Sequence, residues 1–230
     1  MSSLSARTQT TLDYQSISHP VIGEEFMVST QNRYATEIGY EILKKGGNAV
    51  DAAVAVGFAL AVVLPRAGNL GGGGFILIYE KKTQKVSSID YRSAAPVAAK
   101  SEMFISDNKV QRFGHLVNAV PGSVAGLLKA HKDHGSLPLP ELLKPSIELA
   151  REGFEVSYDL NYVLEWGKES MLMNETSKKK FYDQSLEPVK VKSIFKQPLL
   201  SKTIEKIAMN GKEAFYEGEI AKWIVDESLS

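Results

Sequence analysis

The chain has 230 residues, with 27 lysines plus arginines against 27 aspartates plus glutamates, and 43% of its residues are hydrophobic. This suits one domain or two small ones with a sizeable core, and the balanced charge gives no global field favouring nucleic acid or an anionic membrane. No cysteine is present, which excludes disulfides, thiol catalysis and cysteine-based zinc sites.

Residues 1–25 are rich in Ser, Thr and Gln and read as a loosely ordered arm. No apolar stretch follows Arg7, so the arm does not read as a secretory leader. Phe26 to Ser29 is expected as a short strand. Asn32 to Lys45 has Ile38, Ile42 and Leu43 on one side and Glu37, Glu41 and Lys45 elsewhere, an amphipathic helix. Gly46-Gly47 ends it. Asn48 is positioned to cap the next helix, with Asp51 three residues on, near the positive end of the helix dipole. From Ala49 to Val63 nearly every residue is apolar. A helix apolar all round is buried or spans a membrane; this run falls short of the roughly 20 residues a span needs and is expected in the core.

Gly71 to Gly74 is the only glycine cluster. It lacks the dinucleotide spacing, and no Gly-Lys-Ser/Thr follows, so it is not a P-loop. Two readings stay open: a connector or tight helix-to-strand crossing, or a backbone brought close to a ligand or a neighbouring strand. Phe75 to Glu80 and Lys85 to Arg92 are expected as a hairpin across the polar turn 81–84. The continuous apolar run FILIYE suggests a strand buried on both faces, in a sheet sandwiched between layers. Arg92, at the end of the second strand, is either a surface charge or structural ion pair or a planar donor fork suited to carboxylate or phosphate.

Residues 97–113 read as a connection with a turn over Ile105 to Val110. Gly114 to Val120 is expected to be extended, because the residue before Pro121 avoids helical geometry. Helices follow over Gly122 to Asp133 and Glu141 to Arg151, with Pro145 kinking the latter or starting a new helix. Ser157 should cap a helix running to Glu169. The lysine-rich stretch 174–196 reads as loop and short extended pieces. Leu199 to Met209 and Glu219 to Glu227 complete the helices.

Candidate chemical groups are few. His131 and His134 lie three apart at a helix end, but zinc needs three or four ligands and no third stands out. His19 and His115 have no ligand pattern around them. Lys178 to Lys180 is a basic run that, without a larger patch, reads as solvated surface. No serine stands in G-x-S-x-G, and Thr10, Thr11 and Thr203 lack a catalytic context.

Several stretches, in order, resemble the γ-glutamyltranspeptidase (glutathione hydrolase) family: Gly46 to Ala53, Gly71 to Phe75, Asp90-Tyr91-Arg92 with Ala95-Pro96, Ala119 to Gly126, Ala150 to Phe154 and Ala214 to Gly218. The likeness covers about residues 26 to 225. It implies an α/β (α+β) fold, part of the αββα sandwich of N-terminal-nucleophile hydrolases, with residues 26–230 forming the N-terminal part of the large subunit, incomplete at its C-terminal end. It implies transfer of a γ-glutamyl group, from glutathione or another γ-glutamyl amide, to water or to amino-acid or peptide acceptors through a γ-glutamyl-enzyme ester. In such enzymes a self-cut precursor exposes a threonine whose own amine acts as base. That threonine lies well downstream in the family, so this chain is expected to be inactive alone and to need a complementary chain carrying it. The resemblance makes Arg92 the arginine that grips the substrate α-carboxylate, and implies no metal or organic cofactor. Family members are commonly exported, which leaves the compartment of this chain open. Two other classes remain: a non-catalytic γ-glutamyl-binding or structural remnant, and a nucleotide-binding module built on Gly71 to Gly74, which absence of ATP or NAD binding would remove.

Overall fold

The helices Arg33–Lys44, Ala49–Val63 and Tyr158–Trp166 begin at capping side chains, and Leu139–Glu152 and Pro198–Asn210 begin at prolines. The computed structural model describes residues 21–104 and 114–229. The first helix, α1 (Arg33–Lys44), starts at Asn32, whose side chain accepts from the Tyr34 N–H at 2.9 Å. The second, α2 (Ala49–Val63), opens with a reciprocal box: Asn48 Oδ1 accepts from the N–H groups of Val50 and Asp51, and Asp51 Oδ2 accepts from the Asn48 N–H. Helix α2 has the bounds expected of it, and α1 lies one residue inside its expected bounds at each end. Val54, Ala55, Phe58, Ala59 and Val62 are fully buried, so α2 is the central rod of the core.

The hairpin β1 (Phe75–Glu80) and β2 (Lys85–Asp90) pairs antiparallel, with Phe75 opposite Asp90 and Glu80 opposite Lys85. Ile76, Ile78 and Ile89 face the helical core. The expectation that FILIYE is buried on both faces is corrected here. Phe75, Leu77 and Tyr79 are 67%, 77% and 62% exposed, because side chains alternate along a strand and only one face of this sheet meets helices. Beyond it come α3 (Ser123–His134) and α4 (Leu139–Glu152), the latter one continuous helix through Pro145.

A two-residue strand β3 (Phe154–Glu155) leads to α5 (Tyr158–Trp166), capped by Ser157 as expected but ending at Gly167. Two short helices follow, α6 (Lys168–Met171) and α7 (Glu175–Phe181), then β4 (Ile194–Phe195), which pairs antiparallel with β3. The stretch read as loop therefore holds a helix of about two turns, capped by Asn174 on the Ser177 N–H at 2.8 Å. The last helices are α8 (Pro198–Asn210), α9 (Glu213–Tyr216) and α10 (Glu219–Ser228). Three other local readings change. Residues 26–29 form no strand, since no described partner strand lies beside them. His115–Val117 is a 3-10 turn rather than extended chain. Strand β2 stops at Asp90, two residues before Arg92. Most of the predicted arm, and the turn at 105–110, lie outside the described residues.

Helices α1, α3 and α4 pack against α2, and α8 packs against α4. One buried polar residue ties three of them. Gln197 is 3% exposed; its backbone N–H donates to Ala150 O at the end of α4, and its Nε2 donates to Val62 O at the end of α2, both at 2.7 Å. Replacing Gln197 with methionine keeps the length but leaves the Val62 carbonyl without its donor. Chemical denaturation should register a loss of about 2 kcal/mol, the usual cost of an unsatisfied buried polar group; an unchanged midpoint would mean that water substitutes there.

Candidate functional site

The hairpin leads the chain to Arg92, two residues past the end of β2, and three sets of hydrogen bonds hold the backbone there. First, Tyr91 exchanges hydrogen bonds with Gly74: Tyr91 N–H to Gly74 O at 3.0 Å and Gly74 N–H to Tyr91 O at 3.3 Å. Second, Asp90 Oδ1 accepts from the Arg92 N–H at 3.0 Å. Third, Ala94 and Val120 exchange N–H···O bonds of 3.1 and 2.8 Å, pairing the segment after Arg92 with the approach to α3.

Glycines make this approach possible. A Cβ on Gly73 would lie 2.5 Å from Ser93 N and 2.8 Å from Arg92 Cα. One on Gly122 would lie 2.0 Å from Tyr91 O, and one on Gly126 would lie 2.1 Å from Tyr91 Cγ. No side chain fits at these distances, so the loop is a tight crossing and the start of α3 lies directly against the exit of β2. Gly72 O accepts from both Gly122 N–H and Ser123 N–H, at 2.8 and 3.0 Å, fastening the glycine loop to the α3 N-terminus.

The side chains of Asp90, Tyr91 and Arg92 diverge. Tyr91 packs against the core, and burial raises its phenol above the usual value. Asp90 and Arg92 are exposed. The Arg92 guanidinium makes no hydrogen bond or ion pair among the described residues, whereas Arg66, on the loop after α2, is forked onto Asp159 at 3.1 and 3.2 Å. Arg92 is thus an arginine with a braced backbone and a donor fork that no described residue occupies.

The other candidates fall into structural places. His131 Nε2 lies 2.7 Å from Leu137 O, and the His134 carbonyl accepts from Asn48 Nδ2 at 2.7 Å. Thr203 Oγ1 donates to Leu199 O within α8. Lys180 is half-buried over the Phe195 ring at 5.7 Å, and burial lowers its ammonium below the usual value. Lys178 pairs with Glu175 on the surface. Thr10, Thr11 and His19 lie outside the described residues.

Sequence reasoning missed Tyr216. Its hydroxyl donates to Pro121 O at 2.9 Å and accepts from the Ala125 N–H at 3.1 Å. It thereby caps α3, which has no capping side chain of its own. The only signal was its place in the stretch Ala214 to Gly218. Also missed was Ser136, whose N–H and hydroxyl both donate to the buried Asp51 carboxylate.

Comparison with known proteins bears on the family and the fold. The family profile described as Gamma-glutamyltranspeptidase matches residues 35–229. The chain is 43% identical over 219 residues to the glutathione hydrolase proenzyme of Escherichia coli strain K12, covering 93% of this chain and 37% of that protein. It is 38% identical to the Bacillus subtilis strain 168 glutathione hydrolase proenzyme, covering 89% of this chain and 36% of that one. The chain therefore spans just over a third of the length of these curated relatives. The crystal structure of Helicobacter pylori gamma-glutamyltranspeptidase superposes with a TM-score of 0.86 at 36% identity, over 89% of this chain and 60% of that one. The mixed helix-and-strand fold is that of these N-terminal-nucleophile hydrolases. On sequence and on fold alike, the chain belongs to the gamma-glutamyltranspeptidase family.

Proposed function

We propose that this chain forms the substrate-gripping part of a glutathione hydrolase or γ-glutamyltransferase. Residues 26–230 act as the N-terminal part of the family's catalytic fold. Arg92 receives the α-carboxylate of the γ-glutamyl group on its donor fork, and a complementary segment or chain brings the threonine nucleophile. The observation that carries this reading is Arg92 itself: its backbone is braced by Gly73, Gly122 and Asp90, while its guanidinium has no described partner. A fixed backbone sets where this side chain starts, so less freedom is left to remove when its fork meets a planar carboxylate.

The chemistry divides accordingly. The arginine fixes one end of the substrate, so the γ-carbonyl is presented at a set distance. Attack by the threonine oxygen expels the amine and leaves a γ-glutamyl ester, which water or an amine then resolves. The family's relatives carry the name glutathione hydrolase proenzyme, which makes glutathione the first substrate to try.

The test is hydrolysis of a γ-glutamyl anilide by the purified chain, alone and with a downstream polypeptide bearing an N-terminal threonine. Turnover in the mixture and none from the chain alone is the expected result. Turnover from the chain alone would sink the division of labour. Folded protein that binds glutamate without turnover in either arm would assign it instead to γ-glutamyl binding.

A further inference from the structure

We infer that Tyr216 is a positioning residue for Arg92, reaching it through the first turn of α3. This rests on Arg92 being the carboxylate clamp, as proposed above, and adds a residue 124 positions away to the same site. The connection is continuous on the page. The Tyr216 hydroxyl joins Pro121 O to Ala125 N–H, closing the entry of α3 from outside. That entry makes four further bonds to the Arg92 region: Val120 exchanges two with Ala94, and Gly122 and Ser123 each donate one to Gly72 O. Between them, a Cβ on Gly122 would lie 2.0 Å from Tyr91 O and 3.1 Å from Arg92 O. The turn at 120–123 therefore has no slack: any shift of it is a shift of the β2 exit.

Helix α3 lacks a side-chain cap from its own sequence. Ser123 N–H is taken by Gly72 and Gly126 N–H by Gly122 O, so the Tyr216 hydroxyl supplies the bond the third N–H would otherwise lack. Tyr216 is half-buried and reaches this position from α9, a four-residue helix whose Phe215 is anchored in the core. A phenol is suited to the place because it donates and accepts through one atom. Phenylalanine fills the same volume and does neither.

The experiment is a double-mutant cycle on the assembled enzyme with a γ-glutamyl anilide. Tyr216→Phe is expected to raise KM about five- to tenfold with kcat within about twofold, because loss of two hydrogen bonds loosens the clamp and leaves the nucleophile alone. In an Arg92→Ala background the same change should leave KM where it is, since no clamp remains to misplace. Equal KM increases in both backgrounds, or none in either, would overturn the inference and reduce Tyr216 to a stabilising residue. Unchanged KM on Arg92→Ala alone would instead remove the underlying reading, and the inference with it. Thermal melts of every variant keep folding losses separate, and Tyr216→Trp, which retains a donor but not the acceptor, should fall between wild type and Tyr216→Phe in KM.

Discussion

Asp51→Ala is expected to remove about 3–5 kcal/mol of stability, the sum of several buried donors left at about 1–3 kcal/mol each with partial relief from water. Asp51 has no exposed surface. Its two carboxylate oxygens accept from the Asn48 N–H at 2.9 Å, the Ser136 N–H at 2.9 Å, the Leu137 N–H at 3.3 Å and the Ser136 hydroxyl. The carboxylate thus does two jobs: it closes the first turn of α2 and fastens the α3–α4 connection to it, 85 residues away. Burial pushes its pKa up, but the Ser136 hydroxyl and the backbone donors of Asn48, Ser136 and Leu137 outweigh that, and the net direction is down.

The sign of the pH dependence follows. A carboxyl whose folded pKa lies below its unfolded value contributes stability that is complete above the unfolded value of about 3.9 and fades as pH falls through the folded value. Asp51→Asn presents an amide N–H to a ring of donors, so it should be nearly as damaging as alanine at neutral pH. The gap between wild type and Asp51→Asn, read by urea unfolding, should be constant above about pH 5 and narrow below about pH 4. A gap independent of pH down to acid unfolding would mean that the charge itself contributes nothing.

Arg92→Ala should lower kcat/KM for a γ-glutamyl anilide by about a hundred- to a thousandfold in the assembled enzyme, the scale of losing a bidentate, charge-assisted contact. Most of the loss should fall on KM, because the α-carboxylate is gripped in the ground state and in the transition state alike. Arg92→Lys keeps the charge without the fork and should recover only part of it. The exposed position of Arg92 makes this a clean substitution: its side chain supports no described neighbour, so the melting temperature should move by no more than about a degree or two, the surface-substitution range. Activity within twofold of wild type would displace Arg92 from the site.

What was legible in the sequence was what short spacing encodes. Asn48 and Asp51 stand three apart, and their reciprocal cap is local. The apolar run 49–63 announces a buried helix by composition alone. The hairpin follows from a polar four-residue turn between two apolar runs, but its second strand ends at Asp90 and leaves Arg92, expected on it, two residues beyond. Distant partners were not legible. Nothing near Asp51 points to Ser136, and nothing near Gly122 points to Tyr216; each bond crosses about 85 to 95 residues. The FILIYE run misled for a related reason. Apolarity on both faces says that both faces are to be covered, but the sequence of one strand does not say by what. The short helices α7 and α9 escaped because one or two turns are too brief for periodicity to speak.

The outward face of that hairpin bears on how the protein behaves in a crowded solution. Phe75, Leu77, Tyr79 and Val86 stand in a row, and each strand presents an outer edge with no described partner strand. Exposed apolar strands with open edges are templates on which other chains add. Lys81, Lys82 and Lys85 sit around the hairpin tip, with Glu80 beside them and Asp90 at the far end. Charges placed this way are suited to gatekeeping, because a second hairpin stacked in parallel on the apolar row would bring its own lysines alongside. Added salt is then expected to promote self-association, read by light scattering, because it screens the tip while leaving the apolar row intact.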